Sequence, residues 1–330
     1  MDITVTTWVT ESTLHNQSYW DDFDRQHNMA WMISGILELI ISLVGLAGNA
    51  VVLWLLAFHM QRNAFSVYIL NLAGADCVFL CTHIAFFILD LVAYSIYTIL
   101  LQVFFVAFFF SYVASLSILT AISTERCLSV LKPIWYHCHR PKHMSSVVCA
   151  LIWALSLLLS ILRMWLFGLW FTYIDRYLYI IIRFSIPTWL IFSFVLMLGS
   201  SLVLLARLLC GSLKMKLTRL YATIGLTVLV FLFCGLPWGI NDFLLLGMQT
   251  DSYWDVLKVD LATKVLACVN SCANPIIYFF VGSYRQQQRQ QRKSLKLILQ
   301  RALQDVPEED GNQGSPPQET LEMSGNIHVT

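Results

Sequence analysis

Asp76 closes the run Leu70-Asn71-Leu72-Ala73-Gly74-Ala75-Asp76, inside a stretch otherwise apolar enough to lie in hydrocarbon. An ionisable group in such a place is costly and by default marks function. Ser115, Asn270, Ser271 and Asn274 also sit in apolar surroundings and could converge on it. A carboxylate with several oxygen-bearing neighbours suits a hard cation such as sodium; a water-mediated network between helices would use the same residues. A second group is Ser123-Thr124-Glu125-Arg126-Cys127, where an arginine beside a carboxylate ends an apolar run and serves as a snorkelling anchor or a movable latch. Asp90, Asp242, Asp260 and Lys264 stand near the ends of other runs, and Glu38 lies deeper in the first. His137, Cys138, His139 and His143 superficially suggest a metal centre, but beside Arg140 and Lys142 they read as a basic loop facing headgroups or a partner, and no metal ligand is assigned there. No H-E-x-x-H or G-x-S-x-G constellation is present, so the chain does not read as an enzyme.

The elements that must hold these residues are membrane spans. Of 330 residues, 58% are hydrophobic and 12% charged, against about 25% charged in soluble domains. Too little polar side chain remains to cover a water-facing surface. Seven apolar stretches long enough to cross the bilayer run near 29–58, 65–93, 97–127, 145–168, 181–209, 220–248 and 259–281. All read as helices, because a spanning segment must satisfy its own backbone and these are too long and continuously apolar for barrel strands. The expected fold is therefore an all-α bundle of seven transmembrane helices.

Residues 1–28 are polar, without a basic region or small-residue cleavage site, and read as an extracellular segment. With the amino terminus outside, 15 of the 21 basic residues fall on the cytoplasmic side, including Arg62, Arg126, Lys132, Arg140, Lys142 and Arg207. Asp2, Glu11, Asp21, Asp22, Asp24, Asp175, Asp251 and Asp255 fall on the other, and the positive-inside bias sets this orientation. Asn16-Gln17-Ser18 is the sequon on the outer side, with an exposed polar context that suits glycosylation. After the seventh span, residues 282–304 carry Leu295, Ile298, Leu299 and Ala302 at helical spacing among cations, the pattern of a short amphipathic helix on the membrane surface. Residues 305–330 turn acidic and Pro/Gly-rich, as a disordered cytoplasmic tail does. Six of nine cysteines lie inside apolar runs and behave as small hydrophobes; Cys127, Cys138 and Cys210 sit at edges expected to be cytoplasmic and reduced. A transporter is the alternative class, but paired interrupted helices and internal pseudo-symmetry are not visible.

Order, spacing and sidedness of several motifs agree with one family. Gly48-Asn49 in span one, Asp76 in span two, Glu125-Arg126 in span three, Trp153 in span four, Cys234-Gly235-Leu236-Pro237 in span six and Asn274-Pro275-Ile276-Ile277-Tyr278 in span seven resemble a rhodopsin-like G protein-coupled receptor. The stretches 42–56, 62–76, 122–141, 217–221, 234–239 and 270–286 more closely resemble the Mas-related receptors, and the likeness runs from about Leu37 to Asp305.

The resemblance implies a plasma-membrane receptor that passes ligand binding to heterotrimeric G proteins, of Gq or Gi type, with arrestin as a further partner and roles in nociceptive or itch neurons or in mast cells. It assigns the G-protein contact to Glu125, Arg126 and Tyr278, and sodium to Asp76, Ser115, Asn270 and Asn274. No other cofactor is expected. Gly235 stands where most rhodopsin-like receptors carry the toggle tryptophan, so that aromatic switch is missing. Phe167 and Tyr179 stand where Mas-related receptors often carry a cysteine pair, and no extracellular disulfide is expected. The amine-binding position of span three is Phe108, and the retinal-lysine position is Cys268, one turn from Lys264. Arg163 and Arg183 occupy places where several Mas-related receptors carry acids that capture cationic ligands. Guanidinium forks suit carboxylates, sulfates and phosphates, so an anionic or zwitterionic ligand is expected; each arginine could equally be an anchor or pair with an outer carboxylate. Phe108, Asp90, Asp242, Asp260 and Lys264 complete the expected pocket.

Overall fold

The computed structural model describes residues 4–58, 64–92, 97–168, 176–210, 219–245 and 253–287, with side chains from Arg25 onward except toward several helix ends, as at 97–101, 166–168, 176–179, 219–224 and 278–287, and at scattered positions that include Asp90, His137 and Arg183. Asn16 lies on the described backbone, but its side chain, like those of Asp90, Arg183 and Tyr278, is outside the described residues.

The described chain is helical almost throughout. The long helices are α1 (Thr4–Phe58), α2 (Ala64–Val92), α3 (Tyr97–Leu131), α5 (Met144–Gly168), α6 (Arg176–Cys210) and α9 (Tyr253–Gln287). A short α4 (Pro133–Cys138) follows α3, with Pro133 at its first turn, where a missing N–H costs nothing. α7 (Arg219–Val230) passes through a π-helical turn, Phe231–Gly235, into α8 (Leu236–Leu245), forming one rod.

Among the described residues, six segments are long and apolar enough to cross a membrane: Arg25–Phe58, Ala64–Leu89, Gln102–Leu131, Met144–Trp165, Pro187–Leu204 and Gly225–Leu244. Each coincides with a stretch picked out by hydropathy. The seventh expected span lies within α9, whose first turns carry Asp255, Lys258, Asp260 and Lys264 and are correspondingly less apolar. α9 continues to Gln287; the rest of the expected amphipathic helix and the whole acidic tail lie outside the described residues.

The core explains the order of packing. α3 is the central helix: two-thirds of its most apolar window is buried, against about a fifth for α6. It packs on α2, α5 and α6, while α1 packs on α2 and α9. Ser111, Ser115, Ser117, Thr120 and Ser123 line α3 with short polar side chains, which let neighbours approach closely. Ser123 shares hydrogen bonds with Ser200 and Ser201 at 2.8 and 3.1 Å, and Trp189 Nε1 donates to Ser117 Oγ at 2.9 Å. Outward, Ile33, Ile36, Leu37, Ile40, Leu43 and Val44 of α1 are exposed, as a lipid-facing surface requires. The eight described cysteines are all free thiols.

Candidate functional site

At mid-bundle the carboxylate of Asp76 is fully buried and receives two hydrogen bonds: Ser115 Oγ donates to Oδ1 at 2.7 Å and Asn274 Nδ2 to Oδ2 at 2.8 Å. Three helices, α2, α3 and α9, thus meet at one acid. Asn49 Nδ2 ties α1 to the same layer by donating to the carbonyls of Gly45 and Ser271 at 2.9 and 3.1 Å. Gly48 permits this approach, since a Cβ there would stand 3.1 Å from the Pro275 ring. The expected convergence of Asp76, Ser115 and Asn274 is therefore present. Asn270 is buried one turn before Asn274 and faces Gly235 of the π-turn, within 3.2 Å of where a Cβ would be.

The π-turn has a local cause. Pro237 has no N–H and its ring crowds the carbonyl of Phe233, so the α-helical ladder cannot run through it unchanged. The Leu236 N–H instead bonds back five residues to the Phe231 carbonyl. Tyr112 Oη donates to the Gly235 carbonyl at 2.7 Å, fastening α3 to the bulge. Just beyond it, Trp238 enters the core, 4.8 Å from Phe108, 5.2 Å from Phe109 and 4.7 Å from Tyr112 between ring centroids. The position expected to lack an aromatic switch does lack one, but Trp238, three residues on, supplies an aromatic block. Phe108 belongs to that block, buried against Phe79, His83 and Trp238.

Above this block, at what we call the Arg163 end, Arg163 is 4% exposed and forms an ion pair with Asp242 of α8. Its guanidinium also lies 4.1 Å from the centroid of Phe109 and 5.9 Å from that of Phe105. Two of the expected ligand residues are thus joined to each other. Asp260 and Lys264, two more, form an i,i+4 pair at 2.6 Å, and Asn241 Nδ2 donates to Asp260 Oδ1 at 3.4 Å. These four charges cancel in two pairs. Glu38, whose partner the sequence did not indicate, meets His83 of α2, Oε2 to Nδ1 at 2.9 Å.

At the opposite, Arg126 end, the carboxylate of Glu125 pairs with Arg140 and accepts a hydrogen bond from Tyr136 Oη at 3.0 Å. Arg140 also bonds Ser145. Burial, reinforced by Glu125, pushes the Tyr136 phenol up to about 12, so it remains a donor at any physiological pH. Arg126, 4% exposed, places its guanidinium 3.6 Å over the ring of Phe65. Trp153 Nε1 donates to Asn71 Oδ1 at 2.9 Å, locking α5 to α2.

One bundle thus holds an acid shared by three helices, a π-turn before a proline, and a buried arginine toward the far end of α3. Comparisons with known proteins agree with that arrangement. Residues 48–278 match the family described as 7 transmembrane receptor (rhodopsin family). The chain is 56% identical over 290 residues to Mas-related G-protein coupled receptor member X1 of Homo sapiens, covering 88% of this chain and 89% of that one. It is 52% identical over 335 residues to member X2 of Homo sapiens and 51% identical over 325 residues to member X2 of Macaca mulatta, covering 98% of both chains in each case. The transporter alternative has no support from these matches. The chain is a multi-pass membrane protein of the rhodopsin-like seven-transmembrane family and belongs, within it, to the Mas-related G protein-coupled receptors.

Proposed function

We propose that this receptor acts at the plasma membrane with its Arg163 end outside, its Arg126 end facing Gq- or Gi-type heterotrimers and arrestin, and an anionic or zwitterionic ligand as its activator. The buried pair of Arg163 and Asp242 carries the reading. It bridges α5 to α8, so a ligand that competes for either member acts directly on the rod that contains the π-turn. A carboxylate, sulfate or phosphate would take the guanidinium fork. A second, cationic group on the same ligand would take the released Asp242. The orientation rests on the positive-inside bias, which also places Asn16 where it can be glycosylated. Asp76, with Ser115 and Asn274, is the proposed sodium site, where a buried carboxylate and neighbouring side-chain oxygens offer the hard donors such an ion favours. Signalling is a population shift between bundle arrangements, and no catalysis is assigned.

Nucleotide exchange on purified Gq and Gi heterotrimers, driven by a panel of anionic, zwitterionic and polycationic compounds, tests the ligand class. The first two groups are expected to activate best, and the exchanged pair Arg163→Asp with Asp242→Arg to weaken them by about tenfold or more, the loss of one charge-assisted bond. Best activation by polycations, unchanged by the exchange, would move the site to Asp90 and Asp260. For sodium, Asp76→Asn should abolish the dependence of agonist affinity on sodium concentration; an unchanged dependence contradicts the assignment.

A further inference from the structure

His83 lies seven residues along α2 from Asp76, two helical turns nearer the Arg163 end. It is buried, and its Nε2 has no hydrogen-bond partner among the described residues. Around it stand two other groups with metal-binding atoms, each from a different helix. Glu38 of α1 reaches Nδ1 at 2.9 Å, and the thiol of Cys268 of α9 completes a set of oxygen, nitrogen and sulfur atoms all within 4.8 Å of one another. Cys268 is fully buried, while the Glu38 side chain keeps 14% of its surface and gives the cluster an opening. Ser34 Oγ donates to Glu38 Oε1 at 3.5 Å and Ser42 Oγ to Cys268 Sγ at 3.7 Å.

We propose that Glu38, His83 and Cys268 form a binding site for a divalent transition-metal ion, zinc first, that ties α9 to α1 and α2. The donor set decides the class of ion. One carboxylate, one imidazole and one thiolate match borderline-soft Zn2+, whereas sodium and magnesium favour all-oxygen surroundings. Bonds of about 2.0–2.3 Å to a shared zinc put ligand atoms about 3.5 Å apart, so a contraction of about 1.3 Å from the 4.8 Å limit closes the site. Charge decides tolerance. The two positive charges of the ion are matched by one carboxylate and one thiolate, leaving a neutral unit in a dry interior. The thiol proton leaves to bulk water when the ion binds. Ser34 and Ser42 hold the anionic ligands in place from behind, as outer-shell hydrogen bonds do in metal sites. Phe79 and Phe108, with ring centroids 4.7 and 5.1 Å from that of His83, limit its rotation. Three protein ligands leave a fourth position for water.

The test uses the full-length receptor in lipid nanodiscs, with Co2+ as the spectroscopic probe and Zn2+ as the competitor. The parent is expected to bind one Co2+ with a thiolate-to-cobalt charge-transfer band that Zn2+ removes, and to melt at a higher temperature with zinc than in chelator. Cys268→Ser should lose the band while melting as the parent does in chelator. Glu38→Gln, at the partly exposed ligand, should weaken zinc about tenfold or more and serves as the second variant if Cys268→Ser does not fold. A parent that binds no cobalt, or a band and zinc affinity unchanged by these substitutions, overturns the proposal. A band lost only on replacing Cys138 would move the ion to the loop containing His139 and His143 and overturns it equally.

Discussion

The two ends of the bundle each bury an arginine, and they treat it differently. Arg163 meets Asp242 from another helix, so its charge is neutralised by a partner that a ligand can compete for. Arg126 rests on the face of Phe65, while the carboxylate next to it in sequence is held by Arg140 and Tyr136 from the segment after α3. An ion pair between distant helices couples their positions. A cation over an aromatic ring adds an attraction of typically about 0.5–2 kcal/mol without fixing one helix against an opposite charge on another.

The most damaging way to break this contrast is Asp242→Ala, which removes the carboxylate paired with the buried Arg163. Loss of one member of a buried pair costs about 3–5 kcal/mol, so surface expression and melting temperature should fall sharply. Replacing both, with Arg163→Met and Asp242→Leu, should restore folding, and failure of that double variant to recover would show that the pair does more than cancel its own charges.

At the other end, Glu125→Gln keeps the shape but removes the charge that holds Arg140. The expected cost to the present arrangement is about 1.5 kcal/mol, or roughly tenfold more ligand-independent nucleotide exchange. Residues 217–221 contain no acid that could replace the lost restraint from the start of the sixth span. Basal exchange equal to the parent's would mean that the segment after α3 does not restrain the bundle. The effect of Arg126→Ala should be the opposite in sign: stimulated exchange is abolished while the receptor still reaches the surface.

Between the ends, the glycines around the π-turn sharpen the comparison. A Cβ at Gly239 would meet Leu190 Cδ1 at 2.5 Å and Tyr112 Oη at 2.8 Å. Gly239→Ala should therefore cost about 1–3 kcal/mol. At Gly235 the nearest atoms, of Asn270 and Leu116, are 3.2 Å away, and the cost should be about 1 kcal/mol or less. Gly225 has open space, so Gly225→Ala should be neutral or stabilise by up to about 1 kcal/mol. Thermal melting of the three variants checks the order.

Much of the site was legible because polar residues in apolar runs announce themselves. Asp76, Ser115 and Asn274 meet as their composition suggests, since an acid in hydrocarbon must find donors. Arg163 has two open readings in the sequence, and only the packing of α5 against α8 selects the ion pair. Glu125 and Arg126 are neighbours in sequence, yet consecutive helical residues point about 100° apart, so they address different surroundings. Trp238 is hard to single out because a straight helix would put the aromatic role at Gly235; the signal is Pro237, which forces the π-turn and re-aims the residues after it. His83 carries no signal of its own, since a lone histidine in an apolar run reads as core.

The sequence by itself determined the solvent, the number of apolar spans and the family, because the hydrocarbon thickness and the cost of buried charge act on each segment separately. Which side chains share a site depends on how segments rotate and register against one another, and that belongs to the whole bundle. Glu38, His83 and Cys268 are separated by 45 and 185 positions, and Arg163 and Asp242 by 79. The first three meet only once α1, α2 and α9 have packed together, and Arg163 meets Asp242 only once α5 and α8 stand side by side.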